Sequence, residues 1–260
     1  MPLTDAAVKA RALYAARRDR APIPPFTDAE PWLTMADGYA IQRELLAMIL
    51  ADGDAVIGYK VGATSKAMQR LIGLDSPDYG PVLASTLYAD GDTVPLGRFI
   101  APKLEAEIVF VLGEGLKGPG VTVEEARRAI AGARAAVEIV DSRIADWRIR
   151  LADTVADLAS NGAMAASSVT VPVAGFDPRL VGMVLTRNGE VIDTGAGAAA
   201  LGDPVAVVAW LANVLGADGV ALEPGHVIMT GALHAAVPME PGDVFTAEFD
   251  RLGQVTVHAG

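Results

Sequence analysis

The chain has 260 residues, 52% of them apolar, enough for one substantial core or for one domain with a smaller appendage. It carries 21 Lys and Arg against 32 Asp and Glu, a formal net charge of −11, and so lacks the concentrated basic face that nucleic acid binding requires. The absence of cysteine excludes disulfides and thiolate metal sites, and three histidines (His226, His234, His258) without paired helical spacing disfavour a His-rich zinc site. Mean hydropathy is high at +0.34. Much of that is alanine, and no uninterrupted apolar run reaches the roughly 18 residues of a membrane span. The N-terminus lacks an apolar segment followed by a small-residue cleavage site, so no signal peptide is expected and the default placement is cytoplasmic. The apolar fraction also exceeds what a lone globule needs, which predicts self-association.

Residues 3–21 read as an amphipathic helix. Pro22 to Pro31 is a stiff, extended connector. Thr34-Met35-Ala36-Asp37 has the pattern of a capping box and starts a second helix running to about Ala51. These helices define an N-terminal helical region over 1–53, and the texture changes from residue 54 onward. Strands are predicted at Ala55–Val61, Lys103–Leu112, Ala135–Val140, Ala163–Val171, Gly182–Arg187, Val227–Thr230, Val244–Phe249 and Gln254–His258. Helices are predicted near Ser65–Leu71, Val123–Ala131 (with Thr122 as cap), Ile144–Asp157 and Pro204–Leu215, and Asp75–Pro81 reads as a turn-rich loop. Strands outnumber helices without regular βαβ alternation. The fold class is therefore α+β, built around a curled, mixed sheet over 54–260.

The most informative segment is Lys103-Leu104-Glu105-Ala106-Glu107-Ile108-Val109-Phe110-Val111. On a strand, residues two apart share a face, so Glu105 and Glu107 point one way while Leu104, Ala106, Ile108 and Phe110 point the other. Neighbouring carboxylates on a half-apolar strand repel unless a cation sits between them. Glu138 lies among apolar β-formers in Ala135–Asp141, where a bare charge is expensive. Three carboxylates without thiolate or imidazole describe a hard-oxygen site, of the kind that selects Mg²⁺ or Mn²⁺. The same E-x-E pattern also describes an ordinary solvated strand face, and the sequence does not itself bring the two segments together.

Lys60 is the one lysine inside an apolar, glycine-flanked strand, Ile57-Gly58-Tyr59-Lys60-Val61-Gly62. A partly buried lysine can hold a substrate carboxylate or move a proton; an edge-strand lysine can also simply snorkel to solvent. Asp78 is either an acid/base group or a turn cap. Ser160-Asn161-Gly162 and Thr230-Gly231-Ala232-Leu233 are polar steps next to apolar strands, able to bind ligand oxygens or only to make turns. His234, alone on a loop, reads as structural.

These segments occur in an order that resembles one family across nearly the whole chain. They are Gly58–Gly62, Ser76–Gly80, Glu105-x-Glu107, Glu138–Arg143, Ser160–Gly162, Thr230–Leu233 and Pro241–Asp243. The sequence is similar to the hydratase/decarboxylase family of meta-cleavage pathways, within the fumarylacetoacetate hydrolase-like superfamily. The resemblance implies a mixed β-roll core behind an N-terminal helical region, a homo-oligomer, and complexes between pathway enzymes. It implies a Mg²⁺ or Mn²⁺ site at Glu105, Glu107 and Glu138, with Lys60, Asp78 and Ser160 at active-site positions and Asn161, Thr230 and Gly231 toward substrate. The implied substrate is a small 2-oxo acid or its enol. Hydration of 2-hydroxypenta-2,4-dienoate would take a proton at C5, water at C4 and a proton at C3. The alternatives are a 4-oxalocrotonate decarboxylase, whose pocket wants a further cation for a distal carboxylate, an acylpyruvate-type C–C hydrolase, and a non-catalytic partner subunit.

Overall fold

The computed structural model describes residues 3–65 and 76–260, so all but the first residue of the helix expected at Ser65–Leu71, together with Asp75, lies outside the described residues. Helix α1 spans Leu3–Asp19. Its Ala6, Ala10 and Leu13, spaced to share one face, are buried against Ile41, Leu45 and Ile49 of α3. A four-residue helix, α2 (Phe26–Ala29), interrupts the proline-rich connector. Helix α3 (Met35–Ala51) opens with the expected capping box, the Thr34 side chain accepting from the Asp37 amide and Asp37 accepting from the Thr34 amide. A second box, Thr122 with Glu125, opens α4 (Val123–Ala129). Helix α5 is Leu151–Ala156 and α6 is Pro204–Ala217.

Thirteen described strands follow in chain order: β1 Val56–Gly62, β2 Asp78–Leu83, β3 Leu87–Ala89, β4 Thr93–Val94, β5 Lys103–Leu112, β6 Ile130–Val140, β7 Asn161–Ala166, β8 Gly182–Arg187, β9 Glu190–Ala196, β10 Val227–Met229, β11 Val237–Pro238, β12 Val244–Phe249 and β13 Gly253–Ala259. One sheet runs β2-β1-β10-β5-β6-β7-β3 with β11 on the end of β5; the other runs β4-β13-β12-β8-β9. The β1–β10, β3–β7 and β4–β13 pairs are parallel and the remaining pairs antiparallel, so the sheets are mixed as expected. Alternation on β5 decides the layering. Leu104, Ile108 and Phe110 enter the main core with Phe245, Val255, Val257 and the inner face of α6, while Val109 joins a smaller cluster on the opposite face with Val82, Met164 and Met229.

Four expectations are corrected. Asp78–Pro81 is strand, not loop: β2 lies at the end of its sheet and pairs with β1, a position that tolerates Pro81 because one edge needs no donor. The helix expected over Ile144–Asp157 is broken by Asp146 and Trp147, both in the left-handed region (φ 58° and 54°), and only Leu151–Ala156 is α-helical. Ile130 and Ala131 belong to β6 rather than α4, and β7 ends at Ala166 instead of Val171. The segment Gly197–Ala217, at 21 residues and mean hydropathy 1.6, is long and apolar enough to cross a membrane; here half of it is buried, with Val205, Val208 and Leu211 of α6 in the core.

Candidate active site

The register of β5 and β6 sets Glu105 directly opposite Glu138 and Glu107 opposite Ala136. The three glutamates each bring one carboxylate oxygen within 4.8 Å of the others. Glu107 and Glu138 are 1% and 0% exposed. Like charges facing across adjacent strands are destabilising, and burial makes them more so. Glu107 accepts the Gly231 amide on Oε2 (2.9 Å), and Glu138 accepts the Asn161 Nδ2 amide on Oε1 (2.9 Å). Glu107 Oε1, Glu138 Oε2 and Asp78 Oδ1 are buried without a hydrogen-bond partner. An all-oxygen donor set with orphaned, buried lone pairs fits a hard divalent cation.

Lys60, on β1, reaches this cluster from across β10. Its ammonium donates to the Ala159 carbonyl at 2.9 Å and lies 3.5 Å from Glu138 Oε1. Burial alone would depress this lysine, but Glu138, Asp78, Glu105 and Glu107 outweigh it and hold the ammonium above the ordinary lysine range. Lys60 faces four carboxyl groups, and the excess of acid shows in the protonation of Glu105, Glu107 and Asp78. Glu105 is pushed up to about 7, by burial first and by Glu138 second, with Lys60 and Lys103 opposing. Glu107 rises well above the usual carboxylate range through burial, Glu138 and Glu105. Asp78, paired in register with Gly62, is raised by burial, with Lys60 pulling it down. A Cβ on Gly62 would sit 2.3 Å from Asp78 Oδ1, so only glycine leaves that carboxyl its place.

Leu158, Ala159 and Ser160 form three consecutive left-handed residues (φ 55°, 52° and 57°). Each costs about 1–2 kcal/mol for a residue bearing a Cβ. The turn they make aims the Ala159 carbonyl at Lys60 and leaves Ser160 lining a cavity of about 700 Å³, its hydroxyl 3.0 Å from Thr154 Oγ1. Lys60, Asp78, Glu105 and Glu107 line the same cavity.

Asn161, Thr230 and Gly231, expected toward substrate, each make a hydrogen bond within the protein. Asn161 holds Glu138, the Gly231 amide holds Glu107, and the Thr230 hydroxyl donates to the Ile108 carbonyl at 2.8 Å. Asn161 and Gly231 thus restrain two of the three carboxylates, while Thr230 ties its own loop to β5. Gly231 makes its contact at φ +99°, a conformation that favours glycine. His234 is structural: Nε2 accepts the Ala106 amide at 2.8 Å, which leaves the proton on Nδ1, 2.6 Å from the Ala235 carbonyl.

Two lining residues escaped the sequence reading. Lys103 lies on the Glu105–Glu107 face of β5, and its ammonium sits 4.2 Å from the ring centroid of Trp147. The strand alternation that exposed the glutamates also points to Lys103. Nothing in the sequence foretells the left-handed Trp147, whose indole donates to the Ala101 carbonyl at 3.0 Å.

Fold and site define a class of enzyme-like β-roll proteins that gather carboxylates from neighbouring strands beside a buried lysine. A profile described as fumarylacetoacetate (FAA) hydrolase C-terminal matches residues 60–258. The chain is 42% identical, over 95% of its length and 91% of the relative's, to a 2-keto-4-pentenoate hydratase of Paraburkholderia xenovorans (strain LB400). It is 39% identical, over 94% of each, to a 2-hydroxyhexa-2,4-dienoate hydratase of Comamonas testosteroni. Among solved structures, the 4-oxalocrotonate decarboxylase from Pseudomonas putida G7, complexed with magnesium and adipate, superposes with a TM-score of 0.97 at 34% identity, covering 100% of this chain and 99% of the other. The chain belongs to the fumarylacetoacetate hydrolase-like superfamily, in its hydratase/decarboxylase family.

Proposed function

We propose that the protein is a divalent-metal-dependent hydro-lyase that adds water to 2-hydroxypenta-2,4-dienoate, giving 4-hydroxy-2-oxopentanoate in the meta-cleavage breakdown of aromatic compounds. The observation that carries the chemistry is the trio of converging carboxylates with two orphaned oxygens, Glu107 Oε1 and Glu138 Oε2. The choice of substrate rests on the hydratase relatives at 42% and 39% identity. Glu105, Glu107 and Glu138 are the residues that would hold Mg²⁺ or Mn²⁺. When bound, such an ion supplies the Lewis-acid charge that polarises a 2-oxo acid and favours its enolate form.

The chain's own groups do the rest. Lys60, charged and held by the Ala159 carbonyl, binds the substrate carboxylate or shuttles a proton. Burial favours the protonated form of Asp78, which suits it to donate a proton to carbon and take one back from water. In this scheme the enol proton leaves as C5 gains one, water adds at C4, and C3 is protonated last. Ser160 positions a ligand oxygen. Ala199, Ala232 and Leu233 give the cavity an apolar wall that suits a short hydrocarbon end. Large apolar side chains on the surface, Trp32 and Leu180 among them, support a homo-oligomer, taken to work in the cytoplasm.

One observation favours the decarboxylase reading: Lys103 in the cavity wall is a cation able to meet a distal carboxylate. Supplying the Mg²⁺-loaded protein with 2-hydroxypenta-2,4-dienoate and, separately, with 4-oxalocrotonate decides between them. Loss of the diene absorbance with formation of the 4-hydroxy acid is expected from the first. CO₂ from the second without hydration of the first reverses the assignment.

A further inference from the structure

A second cavity, of about 690 Å³, lies between the C-terminal end of α1, the turn before β1 and the start of β7. Five arginines line it: Arg17, Arg18, Arg20, Arg98 and Arg143. Two of them are neutralised by neighbours. Arg18 makes a two-pronged pair with Asp19 (2.7 and 2.8 Å), and Arg143 is bound by the Asp157 carboxylate and main chain. The other three have no carboxylate at ion-pair distance among the described residues, although Asp157 and Asp54 are near enough to attract Arg17. Arg98 donates only to neutral oxygens, the Tyr88 hydroxyl (3.0 Å) and the Ser85 carbonyl (3.5 Å). Among the described residues, the side chains of Arg17 and Arg20 make no hydrogen bond.

The aspartates of this cavity take their hydrogen bonds from other groups, although Asp54 also attracts Arg17 and Asp141 lies 3.9 Å from Arg143. Asp54 accepts the Ala55 and Ser85 amides and the Ser85 hydroxyl, Asp141 accepts the Ile100 and Ala101 amides, and Asp52 accepts the Tyr14 hydroxyl. Basic residues in the last turn of a helix complement its dipole, which accounts for Arg17 and Arg18 being at that end of α1. It does not account for Arg98, which comes from another segment. The dipole does not explain why Arg17 is half-buried beside Arg143: burial first and Arg143 second lower its pKa to about 10, with Asp157 and Asp54 attracting it and Arg98 adding a smaller repulsion. Tyr88, having accepted from Arg98, keeps its own proton free to donate into the same space. In a chain of net charge −11, so much unspent guanidinium around one cavity calls for an anion.

We propose that this cavity is a second binding site, for a small oxyanion carrying two negative charges, gripped by Arg17 and Arg98. Phosphoryl and dicarboxylate ligands share that chemistry. The site is separate from the carboxylate cavity, and its test is independent of the hydratase reading.

The full-length, Mg²⁺-loaded protein is titrated calorimetrically and melted with sodium phosphate and, separately, with succinate, against sodium chloride at matched ionic strength. At least one anion is expected to bind and to raise the melting temperature beyond the chloride control; which of the two does so identifies the ligand class. Arg17→Gln, and Arg98→Gln on the exposed side, are each expected to weaken that binding about tenfold or more while leaving hydratase turnover unchanged. Three results overturn the proposal: no effect beyond chloride, an effect that both variants retain, or a fall in particle mass by light scattering in Arg98→Gln, which would assign the arginines to a subunit contact.

Discussion

Two cavities of nearly equal volume, about 700 and 690 Å³, meet the same stretch of chain, yet their charges are managed in opposite ways. Ser160 lines the carboxylate cavity, while Gly162 and Ala163 line the arginine cavity. On the first side the unpaired charge is buried inside a sheet, where carboxylates face one another across the β5–β6 register and their oxygens lack donors. On the second it sits on long side chains, of which Arg20 and Arg98 are exposed and share their repulsion with water. Buried like charge is costly enough to shift proton equilibria, and either protons or a bound cation relieve it. Charge near solvent needs no such relief and suits an occupant that comes and goes.

The largest effect that tests this contrast comes from Glu107→Ala. Loss of one of three ligands should cut turnover by about 10³-fold or more and abolish the response to Mg²⁺ titration at the same time. The metal-free variant should melt no lower than the metal-free parent, because a repelling carboxyl has gone; unchanged activity in it would sink the site. Lys60→Met comes next, with turnover expected to fall about 10²–10⁴-fold in steady-state assays at saturating metal, the range of a lost proton-transfer group. Asn161→Ala should be milder. It frees Glu138 to swing, so Mg²⁺ affinity measured by titration should drop about 10–100-fold while turnover at saturating metal stays near the parent's.

The smallest effect is one of pH. Glu105 rises from its ordinary 4.5 to about 7, and Asp157 is pushed up to about 6 by burial. Between those limits the metal-free fold binds more protons than the unfolded chain, so its stability is fullest at the acid end and declines as pH rises toward 7. Thermal melts in EDTA between pH 5 and 8 should show that decline. Saturating Mg²⁺, which requires the deprotonated carboxylates, should reverse it, and an identical slope with and without metal would erase the distinction between the two cavities.

The features the sequence revealed are those governed by local rules. The bounds of β5 follow from alternation, the capping box at Thr34 follows from its Thr-x-x-Asp spacing, and Thr122 was legible as a helix cap. The glutamates were legible because a charged pair two residues apart shares a strand face. That Glu138 faces Glu105 was not legible, since register is set by long-range pairing. β2 was hidden by Pro81, which is tolerated only because of where the strand lies in the sheet. The break at Asp146–Trp147 carries no local mark, being imposed by tertiary packing around Lys103 and Ala101. Asn161, Thr230 and Gly231 were legible as polar steps beside apolar strands, but their long-range hydrogen bonds to Glu138, the Ile108 carbonyl and Glu107 were not, because spacing carries no information about such partners.

The left-handed turn at Leu158–Ser160 carries a mechanical consequence. Leu158 is seated among the side chains of α1 and α3, and the next residue offers its carbonyl to the Lys60 ammonium. The opening helices thus anchor one end of a short, stiff lever whose other end trims the pose of that cation. Damage far out in the first fifty residues would be felt at the carboxylate cavity as a mis-set ammonium.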